Sequence, residues 1–166
     1  MNSSTGRTIL IIVIVGVVIA AACLCVSLLG FGGLVSYGLQ EPENLDISVD
    51  VPVTAQIDEE VTLTVSVYNS GNESQTLDSI DWPRSYLDGI VIRNVSPGAI
   101  DETDFDLFGL EFVSYAFNRL ISPGETIEVD FTAVPVKAGD FSGELDVCIN
   151  SGGVCQTLVV RTVVDN

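Results

Sequence analysis

One long apolar run limits what this chain can fold into. Residues 8–31 read TILIIVIVGVVIAAACLCVSLLGF and contain no charged residue, no Pro and no Asn or Gln. A helix needs about 20 apolar residues to cross a hydrocarbon core of roughly 30 Å, so this run is long enough to span a bilayer. It divides the chain into a short tail (residues 1–7), a predicted transmembrane helix (8–31), a flexible tether (32–44) and a domain (45–166).

The charges that flank the run predict its orientation. Arg7 is the only charged residue before it, and Glu41 is the first charged residue after it. Because positive charge tends to stay in the cytoplasm, we expect a single-pass cell-membrane protein with a cytoplasmic N-terminus and an extracytoplasmic domain. Two alternatives are signal-peptide cleavage near residues 20–22 and lipidation of Cys23. The apolar run continues beyond both positions, which favours an uncleaved signal anchor.

Small residues recur along one face of the predicted helix. Such a face lets helix backbones approach closely in lipid, so we predict a helix–helix contact there. The expected partners of this segment are therefore the lipid bilayer and a second copy of the chain. The alternative is chance, because the run is rich in small residues. The residues of this face are Gly16, Ala20, Cys23, Ser27 and Gly30.

Composition excludes several classes of function. All 23 acidic residues lie after Gln40, together with five of the six basic residues. Such a surface repels nucleic acid, so we expect no nucleic-acid partner. The chain has no His and a single Lys, Lys137, which removes the commonest general base and the commonest metal ligand. These features predict a protein that is not an enzyme and that carries no cofactor or metal.

From Leu45 onward the hydrophobic pattern changes to alternation. Apolar residues take every second position in Leu45–Val53 and in Val61–Val67, which is typical of half-buried strands. Turn residues separate the runs, as at 69–72 and 122–125. No amphipathic helix of useful length is evident. The pattern predicts an all-β fold, an Ig-like antiparallel β-sandwich of seven or eight strands.

Two segments carry a resemblance to a known family. The runs VTLTVSVYNSGNESQTL and LISPGETIEVDFTAVPVKAGDFSGELDV resemble CARDB-like and conserved-repeat Ig-like domains of bacterial and archaeal surface proteins. The resemblance covers about residues 46–160 and implies an Ig-like fold with a non-catalytic spacer or adhesive role. Here the domain is single rather than tandem. The residues that carry it are Asn69 with Gly71, Leu120 with Pro123-Gly124-Glu125, and Ala138-Gly139 with Phe141.

Cys148 and Cys155 are predicted to form a disulfide. Polar residues lie at even spacings from each Cys, so both side chains point to the polar face of one predicted hairpin. Their positions in that hairpin can face each other directly. An oxidising compartment outside the cytoplasm would allow the bond to form.

Residues 100–117 concentrate acidic and aromatic side chains. We predict that Asp104, Phe105, Asp106 and Phe108 contact an unknown extracytoplasmic protein or envelope partner. In one alternative the aromatic residues fill the core and the acids are solvated. In another the carboxylates bind Ca²⁺, although the spacing does not match a calcium loop.

The sequence as a whole predicts a membrane-anchored extracytoplasmic Ig-like domain that acts in protein–protein or envelope interaction or adhesion. The alternative is an accessory subunit of a membrane-anchored assembly, similar in layout to filament-associated or pilin-like proteins.

Overall fold

The computed structural model describes residues 42–107, 109–151 and 154–166. In these residues the chain forms ten strands and one short helix. Their bounds are β1 Leu45–Asp50, β2 Thr54–Gln56, β3 Val61–Asn69, β4 Gln75–Pro83, α1 Arg84–Leu87, β5 Ile90–Ser96, β6 Asp101–Leu107, β7 Leu110–Ile121, β8 Thr126–Pro135, β9 Gly139–Ile149 and β10 Val154–Asp165.

The predicted transmembrane helix and its face of small residues lie outside the described residues. Within the described ranges, none of the helical structure has the length and apolar character needed to cross a bilayer.

The strands form two sheets that pack into a sandwich. One sheet has four strands in the order β1-β3-β8-β5, and the other has six in the order β2-β10-β9-β4-β7-β6. Buried apolar side chains from both sheets form one core cluster. The all-β sandwich predicted from the alternation is therefore confirmed.

Two details of the fold differ from the prediction. The described residues form ten strands rather than seven or eight, and β2 pairs with β10 in parallel. The predicted first strand, residues 45–53, ends earlier, at Asp50, because Pro52 has no amide hydrogen and follows β1 where the chain leaves one sheet for the other. β2 is an additional strand beyond it. The other additional strand is β6. Four of its residues are acidic, so it lacks the apolar alternation that indicates a strand.

Aromatic residues at the centre of the core join the two sheets. The ring of Trp82 on β4 lies 5.2 Å from that of Phe131 on β8, in an edge-on arrangement. Tyr86 of α1 stacks on Trp82 at 5.4 Å. All three side chains are fully buried. Since Trp82 and Phe131 belong to different sheets, their contact helps to set how the layers pack.

The first two family-like motifs meet at one end of the sandwich. The side chain of Asn69 is fully buried, donates to the Ile121 carbonyl at 3.0 Å and accepts from the Gly71 amide at 3.0 Å. The Asn69 amide donates to the Glu125 carbonyl at 2.9 Å, and the Gly124 amide donates to the Asn69 carbonyl at 2.8 Å. The N-x-G and P-G-E segments therefore form a single hydrogen-bonded corner.

Both sheets end on the same side of the sandwich. β5 is the last strand of the four-stranded sheet and pairs only with β8, while β6 is the last strand of the six-stranded sheet and pairs only with β7. Residues 97–100 connect these two edge strands. Each edge strand has one side that no described strand covers, and a groove runs between them.

Candidate interaction groove

The groove between β5 and β6, called the edge groove below, has an apolar floor. Ile90 and Ile92 of β5 lie on one side of it, and Val113 and Tyr115 of β7 lie on the other. It continues past Val95 toward the loop that joins the edge strands. The floor is the margin of the core, where Ile90, Val113 and Tyr115 are buried and Ile92 is half-buried.

Carboxylates of β6 form the wall of the edge groove. Glu102 lies opposite Tyr115, and Asp104 lies opposite Val113. Directly opposed residues point to the same face of a sheet, and both Tyr115 and Val113 are buried in the core. Glu102 and Asp104 therefore lie on the inner face of β6, as Asp106 does by alternation. Acidic residues occupy positions where a sandwich strand normally carries apolar ones.

Arg84 of α1 lies at one end of the edge groove. Its Nε atom donates to Asp104 Oδ1 at 3.0 Å, and its Nη2 atom contacts Asp104 Oδ2. Both side chains are substantially exposed, so the pair contributes little to stability. Among the described residues, Glu102 has no such partner. Glu102 is thus a carboxylate of this wall that remains free to bind another cation.

Tyr115 lies directly opposite Glu102, and solvent reaches its hydroxyl. The residue is only 5% exposed and lines the edge groove, and its hydroxyl has no hydrogen-bond partner in the described part of the chain. Burial, and secondarily the charge of Glu102, raise the pKa of Tyr115 to about 12, while Arg84 acts in the opposite direction. The phenol therefore stays neutral at physiological pH and can both donate and accept a hydrogen bond.

The outer face of the β6–β7 hairpin is aromatic. The rings of Phe105 and Phe112 stack at 4.8 Å, and Phe105 is 42% exposed. Leu110, at the start of β7, is also well exposed. Phe105 thus lies on the solvent side rather than in the core, unlike Tyr115.

The predicted contact residues therefore lie on two faces of one strand. Asp104 and Asp106 are on the inner face of β6 and Phe105 is on its outer face, while Phe108 lies outside the described residues. In the described ranges, no three His, Cys, Asp or Glu side chains are arranged to hold a metal ion. Sequence reasoning had identified the segment but neither the strand nor the face that carries each side chain.

The predicted disulfide is confirmed. Cys148 and Cys155 lie directly opposite each other in the β9–β10 hairpin, with Cα atoms 4.0 Å apart, and their sulfur atoms are bonded. The bond lies on the outer face of the six-stranded sheet, away from the edge groove. There Asp81 Oδ2 is 3.8 Å from the Cys148 sulfur, and Ser114 donates to Asp81 Oδ1 at 2.5 Å.

Sequence reasoning did not assign roles to Arg84, Glu102 or Tyr115 in a common site. The sequence did contain one indication of this site: acidic residues occupy every second position at 102, 104 and 106. This period is that of a strand whose one face is charged. The position of Tyr115 opposite Glu102 depends on the register of β6 with β7, which composition does not report.

No family of known proteins matches the sequence, and no curated protein matches it. Solved structures do resemble the fold. One is AvmM, which catalyses macrocyclization in alchivemycin A biosynthesis. It has 11% identity and a TM-score of 0.49, and the match covers 75% of this chain and 90% of that one.

Two further structures resemble the fold with lower TM-scores. The Escherichia coli alpha-2-macroglobulin in its native conformation has 14% identity and a TM-score of 0.43, with 75% of this chain and 7% of that one covered. A CARDB domain of a Pyrococcus furiosus protein, in complex with di-metal ions, has 13% identity and a TM-score of 0.40. The match covers 76% of this chain and 93% of that one. The family that the sequence motifs resemble is thus represented among these structures.

Proposed function

We propose that this protein is anchored in a membrane, presents its sandwich outside the cell and acts by binding a protein partner, without catalysis. One observation carries the proposal: two edge strands end on the same side of the sandwich and leave a groove with an apolar floor and charged walls between them. Such a combination of apolar centre and polar rim is typical of recognition surfaces.

The membrane location is supported by features outside the edge groove. Residues 8–31 are apolar and long enough to span a bilayer. Arg7 precedes them, which favours a cytoplasmic N-terminus. The Cys148–Cys155 disulfide suits an oxidising compartment. The first feature favours a membrane span, and the other two favour the same orientation for it.

Protease treatment of intact cells tests this orientation. A tag placed after Asn166 should be cleaved from intact cells, whereas a tag placed before Met1 should be cleaved only after lysis. Cleavage of the N-terminal tag alone would contradict the proposed topology.

Cross-linking in native membranes tests the binding role. The full chain is compared with Glu102→Gln, and Glu128→Gln is the matched control because Glu128 is an exposed carboxylate on β8 of the other sheet. We expect Glu102→Gln to lose a specific cross-linked protein that Glu128→Gln retains. Equal recovery by both variants would exclude the edge groove as the binding surface.

The membrane-assembly alternative is tested with the same cross-linking. Replacing Ala20 and Ser27 by Leu should leave the groove-dependent partner in place if the helix serves only as an anchor. Loss of all partners in this variant, with no effect of Glu102→Gln, would instead assign the function to helix association.

A further inference from the structure

We infer that the edge groove binds an extended basic segment of a partner protein, which adds as a strand to the open side of β6 and places a Lys or Arg side chain between Glu102 and Tyr115. This inference rests on the proposed function and gives the chemistry of the partner.

The backbone of β6 supplies the first argument. All seven residues of β6 pair with β7, and no described strand covers the other side. In an antiparallel pair, every second residue directs its N–H and C=O groups away from its partner. Such a row of unpaired groups can accept an added strand, which is a common mode of peptide recognition.

The inner carboxylates determine which strand can be added. Side chains of an added strand would alternate between the two faces, and those on the inner face would lie beside Glu102, Asp104 and Asp106. Opposite charges at neighbouring positions stabilise a sheet and like charges destabilise it. A second copy of β6 would bring carboxylates against carboxylates, so this edge disfavours self-association and favours a basic segment.

The two sides of the edge groove differ in charge. Arg93 of β5 borders the groove at a position where the β5–β8 register shifts. A basic strand would therefore be repelled by β5 and attracted by β6. This difference selects β6 as the edge that receives the partner.

Tyr115 supplies an independent observation. It is nine-tenths buried, yet its hydroxyl opens on the edge groove and bonds to no described residue. Solvent reaches this hydroxyl, so it can accept a hydrogen bond from a cationic side chain of the partner. Because Asp104 is already paired with Arg84, the same cation would also neutralise Glu102.

A peptide selection tests the inference. The full chain in detergent is used to select from random peptides about as long as two strands, roughly ten residues. We expect the selected peptides to carry Lys or Arg at every second position. A synthetic copy should bind the wild type about tenfold more tightly than either Glu102→Gln or Tyr115→Phe. Glu128→Gln should bind it as the wild type does.

Amide hydrogen exchange locates the bound peptide. Addition of the selected peptide should slow exchange along β6, and a version with each basic residue replaced by Gln should not. Protection of β1 or β5 in place of β6 would overturn the inference, as would selected peptides without alternating basic residues. Self-association of the chain through β6 would overturn it as well.

The failure of this inference can be distinguished from that of the proposed function. If Glu102→Gln abolishes cross-linking to the native partner but the selection yields no alternating basic peptide, the edge groove binds proteins of another chemistry. If neither experiment depends on Glu102 or Tyr115, both proposals are wrong.

Discussion

Tyr86 and Thr162 are joined by a hydrogen bond of 2.9 Å in the core. Thr162 donates its single hydroxyl proton to the Pro52 carbonyl at 2.7 Å, so Tyr86 must be the donor to Thr162. The chain of bonds connects α1, β10 and the crossing between β1 and β2. It ties α1, which lies at one end of the edge groove, to the edge of the six-stranded sheet opposite β6.

Removal of the Tyr86 hydroxyl should therefore destabilise the fold. We expect Tyr86→Phe to lower the free energy of unfolding by about 1 kcal/mol, because the buried Thr162 oxygen loses a donor. Denaturant unfolding measures the difference. Tyr115→Phe is the matched control, since its hydroxyl has no partner among the described residues, and it should leave stability nearly unchanged. A larger loss for Tyr115→Phe than for Tyr86→Phe would contradict both assignments.

Substitution of Asn69 should destabilise the fold more than substitution of most other polar residues. Its buried side chain donates to two carbonyls and accepts from one amide. Asn69→Ala would leave these backbone groups without partners, and we expect a loss of about 3 kcal/mol in the free energy of unfolding. Asn72→Ala in the same turn changes an exposed residue and should cost little. Thermal unfolding of the two variants side by side gives the comparison, and equal melting temperatures would refute the structural role.

Gly89 is required by the close approach of Phe141. A Cβ atom at position 89 would overlap the Phe141 ring, whereas a Cβ atom at Gly98 would meet no atom within 4 Å. We expect Gly89→Ala to lower the free energy of unfolding by about 3 kcal/mol, because a packed core resists added volume. Gly98→Ala should be close to neutral. Similar denaturation midpoints for both variants would show that the core adapts at this point.

The disulfide should contribute modestly to stability. Cys148 and Cys155 are separated by seven positions, so the bond closes a short loop and removes limited entropy from the unfolded chain. We expect the double variant Cys148→Ser and Cys155→Ser to lose about 2 kcal/mol and to remain folded. Unfolding with and without a reductant measures the same quantity in the wild type. Complete unfolding on reduction would show that the hairpin depends on the bond.

Asp81 should give the protein an unusual pH response. Burial raises the pKa of this carboxyl, against the lowering effect of hydrogen bonds from Ser114 and Ser79. The folded state therefore binds the proton more tightly than the unfolded state, so this group makes the protein more stable as pH falls through the raised pKa. Asp81→Asn should raise the melting temperature at neutral pH, and this gain should shrink on acidification.

Glu125 is the contrasting case for the Asp81 experiment. A hydrogen bond from the Ser122 amide holds the pKa of Glu125 below its ordinary value. Its contribution is therefore present at neutral pH and is lost as pH falls through the lowered pKa. Glu125→Gln should thus lower the melting temperature at neutral pH and have less effect in acid. A pH profile in which both variants move in the same direction would contradict these assignments.

Local patterns in the sequence predicted much of the fold. Alternation identified strands such as β3 and β8, and parity placed Cys148 and Cys155 on one side of their hairpin. These inferences succeed because a strand has a period of two and a hairpin pairs residues that are close in the chain. β6 was missed as a strand because its alternation is acidic rather than apolar.

The sequence by itself determined the alternating strands, the turns between them and the disulfide, since each depends on neighbouring residues. Only the tertiary structure decided that β5 and β6 end their sheets on one side and that Glu102 faces Tyr115. The order of strands in a sheet depends on pairing between segments far apart in the chain, as when β4 lies between β7 and β9. The edge groove is therefore a property of the packed sheets, because neither edge strand forms it alone.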